Sequence, residues 1–379
     1  MRQLLLIPAR IAARLRQDEL LLILVLLCVA LSVMEPAAVA GYHRLIDWPT
    51  IAALAGLLLL TTGLEESGFL QHAAFHVVTR MHTERHLALL LVAVSAALAT
   101  VLTNDIALFI VVPLTLGLHG MAALPTSRLV IFEALAVNAG SVLTPMGNPQ
   151  NLFLWHRSGV SFGSFVGEML PLAAILLGTL FVFTWLAFPA RRIDTHEDIA
   201  PPPLARRLLW ASLLLYPAFL LLLDARQPWL GLALVGGVFL LAFRAVVKEV
   251  DWALILVFML MFIDLRLVAA LPVVQDAVAA IGLHEPQRLY LAGVAVSQLI
   301  SNVPGAILLA QHSDNWRVIA WAVNVGGFGL LIGSLANLIA LRLLGDRRAW
   351  LGFHAWSLPF LALVASLVWA WLFWRGVAR

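Results

Sequence analysis

Long apolar runs separated by short polar stretches fill the chain, at about 20–40, 47–64, 87–118, 129–155, 166–188, 208–223, 228–246, 251–271, 288–312, 318–341 and 354–374. A helix needs about 20 mainly apolar residues to cross a bilayer, so the pattern predicts an all-α, polytopic membrane protein. Two segments do not fit single spans. Segment 87–118 is too long for one crossing and too short for two, and its middle carries Thr103-Asn104-Asp105 with Pro113 behind it. Segment 288–312 has Ser301-Asn302-Val303-Pro304-Gly305 past its centre. Polar and charged side chains at bilayer depth are costly unless they face protein or water, and non-helical backbone is tolerated only in the same surroundings. Both segments therefore predict re-entrant hairpins, each with two half-helices meeting at a polar tip. Ala38-Val39-Ala40 resembles a signal-peptidase site, but the run Leu20 to Val33 is read as the first span.

The stretch 189–207, with Arg191, Arg192 and Pro201-Pro202-Pro203, is the clearest break in composition and divides the chain into halves. The halves correspond. Asp47-Trp48 opens one unit and Asp251-Trp252 the other, Asn104 matches Asn302, and NAGSVLTPMGNPQNLFLW from Asn138 aligns without gaps to NVGGFGLLIGSLANLIAL from Asn324. Gly147 then falls on Gly333 and Asn151 on Asn337. The expected organisation is an N-terminal arm and first helix (1–46), repeat 1 (47–188, hairpin about 87–118, broken helix about 129–155), a cytoplasmic linker (189–207), preceding helices (208–250), and repeat 2 (251–379). Repeat 2 would hold a hairpin at about 288–312, a broken helix at about 318–341 and a final helix at about 354–374. The two units would be inverted, a plan found in transporters whose broken helices meet near the bilayer midplane.

Composition sharpens this picture. The 379 residues are 62% hydrophobic and 12% charged, against about one quarter charged in an ordinary soluble domain, and no polar stretch is long enough for a soluble catalytic domain. Although the net charge is +3, the basic residues lie in short loops rather than in one patch, which points to membrane orientation and not to nucleic acid. With both hairpins re-entrant and the N-terminus cytoplasmic, 16 Lys and Arg fall inside and 8 outside; if the first hairpin crossed once, the split would be 13 against 11. The positive-inside rule favours the re-entrant arrangement. The single cysteine, Cys28, excludes an internal disulfide or a thiolate metal cluster. Most of the 13 Trp sit near segment ends, as interfacial anchors.

The residues with chemistry to offer cluster at the tips and breaks. Gly140, Pro145, Gly147 and Pro149 interrupt a helix in mid-membrane, because Pro lacks a backbone donor and Gly costs about 1 kcal/mol against Ala. Half-helix N-termini exposed there attract anions. Asn138, Asn148, Gln150 and Asn151 supply neutral donors and acceptors in the first break, and Asn324, Gly333, Ser334 and Asn337 form its counterpart. The tips Thr103, Asn104, Ser301 and Asn302 would face these breaks, making one four-part site. Asp105 has no acidic counterpart, since Val303 stands opposite it. It is either the coupling group for a proton or sodium or a cap on the returning half-helix. Glu133, Asp264 and Arg266, inside other spans, mark either the pathway or a structural ion pair. His72 and His76, with His82 and His86 nearby, lack the further ligands a zinc site requires. The sequence shows no phosphate-binding loop, nucleophile triad or cofactor motif, so an enzyme is not expected.

With these residues in place, the chain resembles the ion transporter superfamily, within its citrate-transporter-like domain. LTNDIALFIVVPLT from Leu102 is similar to hairpins of the arsenite-efflux and sodium/proton antiporter branch. SVLTPMGNPQNLFLW from Ser141 and SQLISNVPGAILL from Ser297 look most like bacterial inner-membrane, anion-permease-like proteins. The resemblance implies an ion-coupled secondary transporter of a small anion, an organic carboxylate or an oxyanion of the arsenite or citrate class. It also implies a homodimer, an elevator motion, and H+ or Na+ as coupling ion, with sodium at Asn104, Asp105 and Asn302. In the divalent-anion relatives both tips read Ser-Asn-Thr; here Ser301-Asn302 keeps two positions and Val303 replaces the third. Asp105 makes the first tip more like the arsenite or proton-coupled branches, which leaves a cation/proton antiporter using Asp105 as the alternative.

Overall fold

A computed structural model describes residues 19–69, 83–119, 124–193, 203–346 and 348–374. Helices make up nearly all of it, and among the described residues β-pairing is confined to one antiparallel bridge between Thr83 and Arg192. Six helices are long and apolar enough to cross a membrane, and a bent pair at the N-terminus makes a seventh if counted as one span.

The first helix, α1 (Glu19–Met34), stops six residues before the end of the expected 20–40 run. Pro36 is the reason. A residue before proline is driven out of the α region, and Glu35 sits at φ −138°, ψ 73°. The chain then folds back through the 3-10 turn Pro36–Gly41 and the short helix Tyr42–Leu45, at 118° to α1. Helix α2 (Trp48–Glu66) is buried without interruption from Thr50 to Leu64, as expected of a span that is apolar on every face. Its N-terminus is built like that of a later span. Asp47 accepts a hydrogen bond from Thr50 N at 3.0 Å and the Trp48 indole donates to His43 O at 2.8 Å. At the other, Asp251 accepts from Ala253 N at 3.1 Å and Trp252 donates to Val247 O at 2.9 Å.

After α2 come α3 (Glu84–Val101), α4 (Asn104–His119), α5 (Thr126–Gly140), α6 (Pro149–Ser158) and α7 (Phe162–Ala187). The second half holds α8 (Arg206–Asp224), α9 (Pro228–Ala242), α10 (Trp252–Ala270), α11 (Pro272–Ile281), α12 (Pro286–Ile300), α13 (Asn302–Leu309), α14 (Trp316–Val325), α15 (Leu335–Leu344) and α16 (Ala349–Trp374). The apolar segmentation passes over α11, because ten residues interrupted by Gln275 and Asp276 do not read as a span.

Helices break where the polar residues are. Leu102-Thr103 separates α3 from α4, and Ser301 alone separates α12 from α13; residues 141–148 separate α5 from α6, and 326–334 separate α14 from α15. α3 packs along α5 and α12 along α14, so each hairpin lies beside the helix that breaks next to its tip. The short helices beyond the breaks cross over. α6 packs against α13 and α14, while α15 packs against α4 and α5. Helices α2, α8 and α9 form a neighbouring cluster, and α10 packs against α1, α2 and α13.

Candidate functional site

Tip and break are tied together in each half. Asn104 N donates to Gly147 O at 2.9 Å, bringing the start of α4 to the start of α6. Ser301 Oγ lies 3.5 Å from Gly333 O, bringing the start of α13 to the start of α15. Gly147 is required by the turn of the break itself, since a Cβ there would lie 2.2 Å from Ser141 O. At Gly140 a Cβ would lie 2.1 Å from Ala96 O, so the end of α5 presses directly on α3.

Across the halves the pairing is crosswise. Asn138 Nδ2 donates to Asn337 Oδ1 at 2.8 Å, and Asn324 Nδ2 donates to Asn151 Oδ1 at 2.7 Å. Ser334 Oγ donates to Asn138 Oδ1 at 2.9 Å, and Asn148 Nδ2, at the aligned position, donates to Asn324 Oδ1 at 3.1 Å. The rest of each amide is used by the broken backbone. Asn151 Nδ2 donates to Val142 O at 2.9 Å, and Asn337 Nδ2 to Gly327 O at 3.0 Å. Asn148 also caps α6 by accepting from Asn151 N at 2.9 Å, and Gln150 adds a longer bond of 3.3 Å to Asn324 Oδ1. All of these side chains are buried.

The expected site residues are thus brought together, but they divide into two kinds. Asn138, Asn148, Asn151, Asn324, Ser334 and Asn337 spend their hydrogen bonds on one another and on broken-helix carbonyls, so they brace the breaks. The tips hold the unspent groups. Asn104 Oδ1 and Asp105 Oδ1 are buried without a partner. Among the described residues no backbone N–H is bonded to the Asp105 carboxylate, so the capping role considered for it is not realised there. Thr103 and Asn302 are buried as well, and Val303 packs against the hydrophobic core. Ser301 holds φ 75°, ψ 160°, a region that is essentially glycine-only and costs of order 1–3 kcal/mol.

Four helix N-termini, those of α4, α6, α13 and α15, are therefore joined in one network. Each carries the partial positive charge of its unpaired amides, and no Lys or Arg belongs to the tips or breaks. Among the other intramembrane charges, Asp264 is fully buried with neither oxygen hydrogen-bonded, and Arg266 reaches Arg44 O at 3.4 Å. They do not form the ion pair considered from the sequence. Glu133 accepts from Thr115. His72, His76 and His82 lie outside the described residues; among those described, no three His, Cys, Asp or Glu side chains form a metal-binding group. The crosswise pairing was not visible in the alignment, which matches Asn138 with Asn324 rather than with its true partner.

Comparisons with known proteins give the chain its family. The citrate transporter family matches residues 11–323. The inner membrane protein YbiR of Escherichia coli K12 is 48% identical over 354 residues, covering 93% of this chain and 95% of that protein. The transporter MJ0456 of Methanocaldococcus jannaschii is 30% identical over 321 residues, 84% of this chain and 86% of its own length. A shorter match, 31% identical over 133 residues, covers 35% of this chain and 27% of the silicon efflux transporter LSI3 of Oryza sativa subsp. japonica. The chain is a multi-pass membrane transporter and belongs to the citrate transporter family.

Proposed function

We propose that the protein is an ion-coupled secondary transporter of a small anion, an organic carboxylate or an oxyanion, in a bacterial inner membrane. The observation that carries this reading is the junction of four helix N-termini in a buried network without a basic side chain. Amide dipoles favour an anion there, while the absence of Lys and Arg leaves a multivalent anion in need of a co-bound cation. The unpartnered oxygens of Asn104 and Asp105 suit that cation, H+ or Na+, with Asn302 available from the other tip. In this reading 47–188 and 251–379 are inverted repeats with re-entrant hairpins at about 87–118 and 288–312, joined through a cytoplasmic linker at 189–207 and the helices of 208–250. The N-terminus is cytoplasmic, and a homodimer moves the site as an elevator. A carboxylate at Asp105 disfavours a fully ionised dicarboxylate, so weakly acidic oxyacids rank beside citrate as cargo; silicic acid joins them because one relative is a silicon efflux transporter.

The same unpartnered pair favours one second reading, a cation/proton antiporter in which Asp105 holds the transported ion. Flux of citrate, succinate, arsenite, silicic acid and sodium into proteoliposomes under imposed proton and sodium gradients separates the two. The first reading expects gradient-driven movement of an anion or oxyacid that Asp105→Asn uncouples. Sodium/proton exchange without anion flux, abolished by Asp105→Asn, establishes the second; silence toward all five removes these cargoes and sends the assignment back to an unknown substrate.

A further inference from the structure

Glu133 lies on α5 five residues before Asn138, and its side chain has 0% exposure. Thr115 on α4 donates a hydrogen bond to Oε1, and Oε2 has no partner. The helices packed against α5 are α3, α4, α7, α15 and α16, and among the described residues their charged groups make no bond to Glu133. Arg85 of α3 and Arg128 of α5 itself donate to Phe188 O and Ala187 O. Glu168 of α7 pairs with Arg317, and His354 of α16 lies against Trp350 O. Glu84 and His86 at the start of α3, Asp105 at the far end of α4 and Arg342 of α15 make no hydrogen bond to it. The side chain of His119, one turn beyond Thr115, lies outside the described residues.

An ionised carboxylate removed from water without a counter-charge costs several kcal/mol, which one hydroxyl donor does not offset. A metal cation would need more oxygens than this carboxyl and hydroxyl provide, whereas a proton needs one. The position matters as much as the burial. α4 begins at the first tip and α5 ends at the first break, so the Thr115–Glu133 bond fastens together the two helices that present the first half of the site. Pro113 lies inside α4 two residues before Thr115 and removes one backbone hydrogen bond there, which makes α4 most yielding next to this bond. α15, from the second half, packs on both helices.

We propose that Glu133 is a second proton-binding site, which takes a proton from water onto Oε2 on one side of the membrane and returns it to water on the other. The inference rests on the ion-coupled reading above, with H+ as the coupling ion. Its first test needs no substrate. Infrared difference spectra of the reconstituted full-length protein should show the C=O stretch of a buried carboxylic acid at neutral pH that disappears as the pH is raised. Glu133→Gln should lack the band, and Thr115→Val should move it to higher frequency as the hydrogen bond is lost. In proteoliposomes, Glu133→Gln should keep exchange of whichever of citrate, succinate, arsenite or silicic acid the wild type carries, while accumulation driven by a pH gradient falls at least tenfold. The proposal is overturned if the wild-type band is missing or does not respond to pH, or if Glu133→Gln accumulates substrate as the wild type does. Loss of exchange together with accumulation in a folded Glu133→Gln protein also overturns it, since the residue would then be structural. If no wild-type flux occurs with any probe, the substrate reading fails, and the infrared band alone decides on Glu133.

Discussion

The crosswise pairing of asparagines makes a sharp energetic prediction. Asn138 makes two side-chain bonds, donating to Asn337 Oδ1 at 2.8 Å and accepting from Ser334 Oγ at 2.9 Å. Asn337 and Ser334 are 0% and 1% exposed, so water cannot replace the lost partner. Leaving a buried polar group unsatisfied costs about 1–3 kcal/mol, so Asn138→Ala, which orphans two, should destabilise the protein by roughly 2–6 kcal/mol. Asn337→Ala should cost a similar amount, because it orphans Asn138 Nδ2 and takes the donor from Gly327 O. The double variant counts their shared bond only once, so the coupling energy should be about 1–2 kcal/mol, within the range for residues in one hydrogen-bond network. The control is Asn138→Ala with Asn324→Ala. These positions are aligned in sequence but share no side-chain bond and are linked only through Ser141 and Asn148, so their coupling should be smaller than that of Asn138 with Asn337. Unfolding in mixed micelles with increasing SDS, followed by tryptophan fluorescence, measures all of these variants. Additivity for Asn138 with Asn337, or stronger coupling of Asn138 to Asn324, would refute the crosswise network.

Two further outcomes are expected. Gly147→Ala should lower stability by at least the ~1–3 kcal/mol typical of overpacking, because the atom it meets is backbone oxygen at 2.2 Å; Gly167→Ala in α7, with nothing within 4 Å, should be neutral or stabilising. Equal midpoints for the two in the same SDS titration would show that the turn at 141–147 is not packed as described. Ser301→Gly should raise stability by about 1 kcal/mol by relieving the φ 75° conformation, whereas Ser301→Ala, which keeps the strain, should not; a loss on Ser301→Gly in thermal unfolding would mean that the hydroxyl outweighs the strain.

Much of the architecture is legible in the sequence because lipid allows few exceptions. Backbone that leaves the helix inside an apolar run is tolerated only where protein or water shelters it, and the breaks at 141–148 and 326–334 stand where NAGSVLTPMGN and NVGGFGLLIGS place them. The paired Asp-Trp starts are equally readable, since an aspartate before an apolar run is a helix cap. The N-terminal span ends at Met34 because of the Glu35-Pro36 step, a local rule that outweighs the apolar composition of the six residues beyond. The division of labour in the site is not legible. Asn148 and Asn104 are both polar residues at the head of a short helix, yet one is consumed by Asn324 and Asn151 while the other keeps an unpartnered oxygen. Only the packing of α6 against α14, set by contacts between residues far apart in sequence, decides which is which. Asp105 shows the same limit, because its position in the first turn of α4 suggests a cap, and the structure gives it none.

The exchange of α6 and α15 between the halves has a consequence for how the protein is made. Asn151 and Asn324, bonded at 2.7 Å, are separated by 173 residues. At about 5–20 residues per second, synthesis of that stretch takes roughly 10–35 s. During this interval the first half is already in or near the membrane, and Asn148 and Asn151 lack Asn324. An amide without a partner in hydrocarbon costs several kcal/mol, so the first hairpin and its broken helix have to be held in a watery or proteinaceous setting until α14 arrives. Assembly is thus a delayed closure, in which the second half of the chain completes bonds begun in the first half.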